Sequence, residues 1–292
     1  MKLNNFTKGI FSSSLGSFWW GFFGTYYFKY ISFIGTIEVV AHRSIWTLVI
    51  LLLTTTLFKK WNKFKLVFRN KQKILVLLFT GILIFGNWAI WIYAVETNRI
   101  IDASFGYFIF PIISVLFGFI FLKEKLNTKR LLSISLVFIA TIFLFFNLES
   151  FPWIGFAVAF MWSTYNLLRK KINVETDIGL LIESFLILPL VIVFFYIVFQ
   201  SNQNDFLISN PTLMLLIFLA GPMTVIPLFL YVKGVELSGL GPSGMTFFIT
   251  PTGQFLLGFF YFNEAFSFEK FLSFILIWIA VSIYLKDLYE TN

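Results

Sequence analysis

Apolar residues in this chain come in long uninterrupted runs, set apart by short polar clusters, with neither the strict alternation of a half-buried strand nor the one-sided stripe of a surface helix. Each run is about 18 to 22 residues long, enough as a helix to cross a hydrocarbon layer about 30 Å thick. Ten such spans are predicted: Gly9 to Ile31, Thr36 to Phe58, Ile74 to Val95, Ser104 to Leu122, Leu131 to Asn147, Pro152 to Leu168, Ile178 to Phe199, Leu213 to Val232, Gly244 to Phe262 and Phe271 to Leu288. Lipid offers no partners to backbone N–H and C=O groups, so the runs are expected to be helices, and 292 residues leave only short connections between them. The expected fold class is an all-α integral membrane protein. The first run is expected to be retained as a span, because Phe18, Trp19, Trp20 and Phe22 leave no small-residue cleavage site.

The pattern is written twice. YFIFPIISVLFGFIFLKE (Tyr107 to Glu124) aligns without a gap on FFITPTGQFLLGFFYFNE (Phe247 to Glu264), with Pro111, Gly118 and Glu124 each 140 positions before Pro251, Gly258 and Glu264. The same offset carries Val95 and Glu96 onto Val235 and Glu236, and LLSISLVFIA onto FLSFILIWIA. Upstream, a two-residue gap superimposes Trp20 on Trp162 and Lys29 on Lys171. Two repeats follow, 1–147 and 148–292, with five spans each. An odd number of spans makes the second copy enter the membrane from the opposite side, so the halves are expected to be inverted about a pseudo-two-fold axis in the membrane plane.

Composition agrees: 59% of residues are hydrophobic, 12% are charged, 42 are Phe, and the mean hydropathy is +0.87, where soluble domains are about a quarter charged. The net charge of +8 suggests nucleic acid until the charges are placed. With the N-terminus cytoplasmic and ten alternating spans, eighteen of the 22 basic residues fall on the cytoplasmic side. Lys29, Arg99 and Lys270 fall outside, and Arg43 lies within the membrane. The basic charge is topological, both termini are expected to be cytoplasmic, and no nucleic-acid partner is expected.

Ionisable groups at membrane depth are costly, about 2.5 to 3.5 kcal/mol on insertion scales, so those present are candidates for function. In EVVAHRSIW, Glu38, His42 and Trp46 are four apart and form one stripe, with Arg43 about 100° round from His42. His42 and Arg43 are candidates for substrate contact or ion coupling, Glu38 for contact nearer the outer end; the alternative is a structural cluster that locks spans together. His42, whose ordinary pKa is near 6.5, is the candidate proton-coupling group. Asn87 and Trp91 share a face of span three and, with Trp88, are candidates for a cavity wall, against interhelical glue or interface anchors. Tyr107 and Pro111 pair with Phe247 and Pro251 in the repeat, and paired mid-span prolines point to a transport pathway, with simple helix bending as the alternative. Pro222 and Pro227 interrupt span eight, and Glu183 is a further intramembrane acid.

WWGFFGTYYFKY, EVVAHRSIW, NWAIWIYAVE and ASFGYFIFPIISVLFGFIFLKEKL resemble the RarD group of EamA permeases in the drug/metabolite transporter superfamily, over the whole chain. The acid, His-Arg and Trp pattern of that group is matched by Glu38, His42, Arg43 and Trp46. Its Asn-Trp pattern is matched by Asn87 and Trp88, and its Gly-Tyr-Phe pattern with downstream Pro by Gly106, Tyr107, Phe108 and Pro111. The second half is looser, since GMTFFITP lacks the Tyr. The resemblance implies a ten-helix inner-membrane carrier of two inverted repeats that works by alternating access, with some members named for chloramphenicol sensitivity. It does not specify the substrate.

The rival classes are a membrane-embedded enzyme and a channel or scramblase. One His and no Cys allow neither HExxH, a His cluster nor a Cys/His pair, so no metal site, no cofactor and no catalytic residue are expected. No GxxxxGK[ST] motif is present, so ATP is not an expected partner. The expected partners are a small-molecule substrate, the lipid bilayer, and a proton or other ion whose gradient supplies energy.

Overall fold

A computed structural model describes residues 4–97, 99–146, 151–201, 204–206, 210–261 and 268–291, in which every regular element is a helix. The chain runs as α1 (Asn5–Trp19), a π-helical turn (Trp20–Gly24), α2 (Thr25–Tyr30), α3 (Thr36–Leu57), α4 (Trp61–Phe68), α5 (Lys71–Glu96), α6 (Ile100–Leu122) and α7 (Thr128–Phe146). There follow α8 (Trp153–Lys171), α9 (Thr176–Leu186), α10 (Leu188–Gln200), α11 (Pro211–Phe218), α12 (Ala220–Ser238), α13 (Leu240–Thr246), α14 (Ile249–Phe260) and α15 (Phe268–Thr291). Lys2, Asn147, Phe262 and Glu264 lie outside the described residues.

Among the described residues, six stretches are long and apolar enough to cross a membrane: Thr36–Leu57, Lys71–Ala94, Phe105–Leu122, Thr128–Phe146, Pro211–Ser238 and Phe271–Glu290. A seventh is the pair α9 and α10, bent by 48°. The other predicted spans are helical but interrupted or polar. Asn5–Tyr30 contains the π-turn, Trp153–Lys171 ends on Arg169, Lys170 and Lys171, and Leu240–Phe260 is divided at Phe247 and Phe248.

Prolines account for most of the breaks. A proline has no N–H for the carbonyl four residues earlier, and its ring crowds that carbonyl. Pro189 stands beyond the bend between α9 and α10, Pro222 beyond the break between α11 and α12, and Pro251 beyond the division between α13 and α14. The Phe247 carbonyl, which Pro251 leaves without its helical partner, accepts from the Thr250 N–H at 2.8 Å. Pro111 and Pro227 sit inside continuous helices.

Helices meet where side chains are small. α1 lies along α12, with Gly9, Ser13 and Gly16 buried in the seam. A Cβ on Gly234 would stand 2.5 Å from the Ser13 Cβ and 2.8 Å from the Gly9 carbonyl oxygen, so the two backbones approach as closely as glycine allows. α6 meets α8 in the same way: a Cβ on Gly106 would strike the Gly155 backbone. α5 packs on α8, α3 on α9, α10 and α12, and α7 on α15. Large side chains such as Phe11, Phe119 and Phe146 remain exposed around the outside, the arrangement expected where lipid is the solvent.

Charges gather at one end. Lys60 pairs with Asp177, Lys63 with Glu175, and Lys129 with Glu290; Arg130 Nε donates to Asp287 at 2.8 Å. Glu124, just past α6, accepts from the backbone N–H groups of Leu240 (2.7 Å) and Gly241 (2.9 Å), so it ties the α6 end to the start of α13. Burial pushes its carboxyl above the ordinary carboxylate range, against the pull of those two donors and of Lys170 and Arg130. Lys170, held on the Glu236 carbonyl, is pulled below the ordinary lysine range by burial, against the charges of Glu124 and Glu236. This end of the bundle is closed and cross-linked.

Candidate functional site

A cavity lies among the π-turn, α2, α3, α5, α6, α8 and α14. Its lining residues on α5, Ile84 to Trp91, occupy the half of that helix remote from Lys71, and those on α8 are Trp162 at its midpoint and Val158 in the half remote from Lys171. The cavity therefore runs from mid-bundle toward the end away from the paired charges.

Its floor is aromatic. Trp20 meets Trp162 edge-on, with centroids 5.6 Å apart, and both contact Tyr231 and Phe247. The π-turn aims Trp20 there. Gly21 packs on the Thr250 backbone, and the Trp20 carbonyl accepts both the Thr25 N–H across the wider turn and the Thr25 hydroxyl at 3.0 Å. Tyr107 lies against Phe247 at 5.6 Å, with its hydroxyl toward the Gln254 side chain.

Arg43 is the charged side chain among the described lining residues. Its guanidinium carbon stands 4.6 Å from the Phe28 ring centroid and 4.7 Å from that of Trp88, and its Nε donates to the Thr224 hydroxyl at 3.0 Å. No carboxylate of a described residue lies within ion-pair distance of it. Asn87 donates its amide to the Val158 carbonyl at 2.9 Å, joining α5 to α8. Trp91 crosses Phe28 edge-on at 5.8 Å.

Of the residues singled out from sequence, Arg43, Asn87, Trp88, Trp91 and Tyr107 come together in this cavity. Glu38 and His42 do not line it. The Glu38 carboxylate accepts from the backbone N–H groups of Asp205 and Phe206, all at 2.9 Å, and stands 3.7 Å from His42 Nε2. The His42 ring is buried between Phe195 and Phe206, with neither nitrogen hydrogen-bonded. The 100° step between His42 and Arg43 separates them onto two sides of α3. Burial pushes the Asp205 carboxyl up, and the Glu38 charge adds to it.

Glu183 is also outside the cavity. In sequence it is a solitary acid, but the fold gives it the Thr80 hydroxyl at 2.6 Å, the Tyr165 hydroxyl at 3.1 Å and Arg169 Nε at 3.5 Å. Tyr165 stacks on Trp162 (5.3 Å, 9°), so this network lies directly beneath the cavity floor. Pro111 and Pro251 leave the carbonyls of two lining residues, Tyr107 and Phe247, without their usual helical donors. Pro222 and Pro227 lie on α12, which the cavity does not reach.

Trp20, Phe28, Trp162, Thr250 and Gln254 also line the cavity and were not singled out as site residues. Two signals pointed to them: the superposition of Trp20 on Trp162 in the repeat, and Gln254 as an amide inside an apolar run.

The EamA-like transporter family model matches residues 7–146. Protein RarD of Escherichia coli is 30% identical over 285 residues, 98% of this chain and 96% of its own. The uncharacterized transporter YojE of Bacillus subtilis is 32% identical over 280 residues, 95% of this chain and 93% of its own. A crystal structure at 12% identity superimposes with a TM-score of 0.69 over 94% of this chain and 95% of its own, a likeness of fold alone. With transporter relatives aligned almost end to end and a multi-pass helical bundle around a buried cavity, the chain belongs to the EamA-like transporter family, in the RarD group of the drug/metabolite transporter superfamily.

Proposed function

We propose that this protein is a secondary-active permease for small organic metabolites or drugs, with ten spans in two inverted five-helix repeats (1–147 and 148–292). In this reading it works by alternating access in the inner (plasma) membrane, both termini cytoplasmic. The observation that carries it is a cavity at mid-bundle where repeat mates touch each other, open away from the paired-charge end. Trp20 meets Trp162, Tyr107 meets Phe247, and Phe108 meets Phe248 at 6.4 Å. A residue can touch its own mate only near the axis that exchanges the copies.

The packing order supports the same exchange. α1 on α12 has its mate in α8 on α5, and α6 on α8 has its mate in α14 on the π-turn; α7 on α15 is its own mate. The Tyr107 and Phe247 carbonyls, which the prolines deprive of their helical donors and of which Phe247's is turned onto the Thr250 N–H, mark a weak point on each half beside the substrate space, where Pro111 and Pro251 act as hinges. Access from the paired-charge end then requires release of the contacts around Glu124 and Glu183.

Counterflow in proteoliposomes tests the carrier: trapped unlabelled solute should accelerate uptake of labelled solute, as no open pore does. The architecture is tested on this cysteine-free chain with Lys125→Cys and Ala265→Cys. Impermeant maleimide should reach the two positions from opposite faces; labelling from one face sinks the inverted repeat.

A further inference from the structure

The chemistry of the cavity identifies a class of substrate. Resting on the carrier reading above, we propose that the cavity binds organic anions, with a carboxylate on Arg43 and an apolar body against the tryptophan floor.

Among the described residues, the cavity holds a guanidinium with no acid beside it. The carboxylates of Glu38 and Glu183 are engaged elsewhere: Glu38 by backbone N–H groups and His42, Glu183 by Arg169, Thr80 and Tyr165. One Arg43 donor is satisfied by Thr224. Phe28 and Trp88 face the cation and balance part of its charge, but ring faces do not accept the in-plane N–H groups. Those remaining donors form the fork that matches a carboxylate two-pronged. The rest of the described lining is neutral, from Asn87 and Gln254 to the indoles. An amine would meet a like charge with no counter-ion in the wall.

The test uses purified full-length protein in detergent, excited at the tryptophans that line the site, and titrated with matched pairs: benzoate with benzamide, phenylacetate with phenylacetamide, and cyclohexanecarboxylate with its amide. A charge-assisted pair adds about tenfold or more in affinity over a neutral contact, so the carboxylates should bind at least about tenfold tighter than their amides. Arg43→Gln should abolish that preference, and Arg43→Lys should keep part of it. If no pair shows a preference in the unaltered protein, whether both members bind alike or neither binds, the proposal is overturned; survival of the preference in Arg43→Gln overturns it equally. Counterflow separates the two readings. Exchange of the amides or of benzylamine as fast as the acids leaves a carrier but removes the anion site, whereas carboxylate-selective binding with no counterflow keeps the site and removes the carrier.

Discussion

Glu183 and Arg169 are both almost fully buried, and their separation of 3.5 Å, with Thr80 and Tyr165 on the same carboxylate, ties α5, α8 and α9 together beneath the cavity. Glu183→Ala leaves Arg169 with a single hydrogen bond, from Nη2 to the Thr176 carbonyl at 3.1 Å, and an uncompensated charge. Breaking a buried pair from one side costs about 3 to 5 kcal/mol. At roughly 2 °C or more per kcal/mol for a chain of this size, apparent melting should fall by on the order of 10 °C. The assay is fluorescence-detected size-exclusion after heating in detergent. Glu183→Leu with Arg169→Met should recover most of the loss, because it removes both charges together, and the double-mutant cycle should give a coupling above about 1 kcal/mol. If Glu183→Ala melts within about 2 °C of the parent, or if the two single losses simply add, the pair does not hold these helices and the account is wrong.

Other outcomes follow from the same contacts. Gly234→Leu forces α12 off α1 and should cost about 1 to 3 kcal/mol or more, whereas the exposed Leu57→Ala should change melting little. Glu38→Ala removes the acceptor of the Asp205 and Phe206 amides, so hydrogen exchange at those two amides should accelerate while exchange in α12 stays unchanged. His42→Gln tests proton coupling: if His42 carries the proton, uptake or efflux driven by a proton gradient in vesicles falls while counterflow persists, and undiminished driven flux removes the assignment. Glu124→Ala strands two N–H groups at the start of α13 and should cost about 1 to 3 kcal/mol of thermal stability.

The helical membrane character of this chain was written in its composition and in the length of its apolar runs, because lipid allows few other ways to satisfy a backbone. The sequence likeness between the two halves was legible through Pro111 and Pro251, Gly118 and Gly258, which recur in register. Helical spacing alone put Glu38, His42 and Trp46 on one stripe with Arg43 about 100° round from it, and Asn87 on one face with Trp91. What sequence could not supply was the partner of each polar group. Glu183 read as a solitary acid because Arg169, fourteen positions earlier, looked like part of a solvated basic cluster; the turn between α8 and α9 folds the two together in the interior. Glu38 and His42 looked like companions of Arg43, but the backbone of residues 205 and 206, about 165 positions away, takes Glu38 to the far side of α3. Part of the cavity wall was equally hidden, since Phe28 and Thr250 are ordinary members of greasy helices until the π-turn and the divided helix turn them inward. Local pattern is set by the solvent each residue must face, and that much a single chain reveals. Which buried charge meets which partner, and which is left facing a cavity, depends on contacts between distant segments that only packing brings into being.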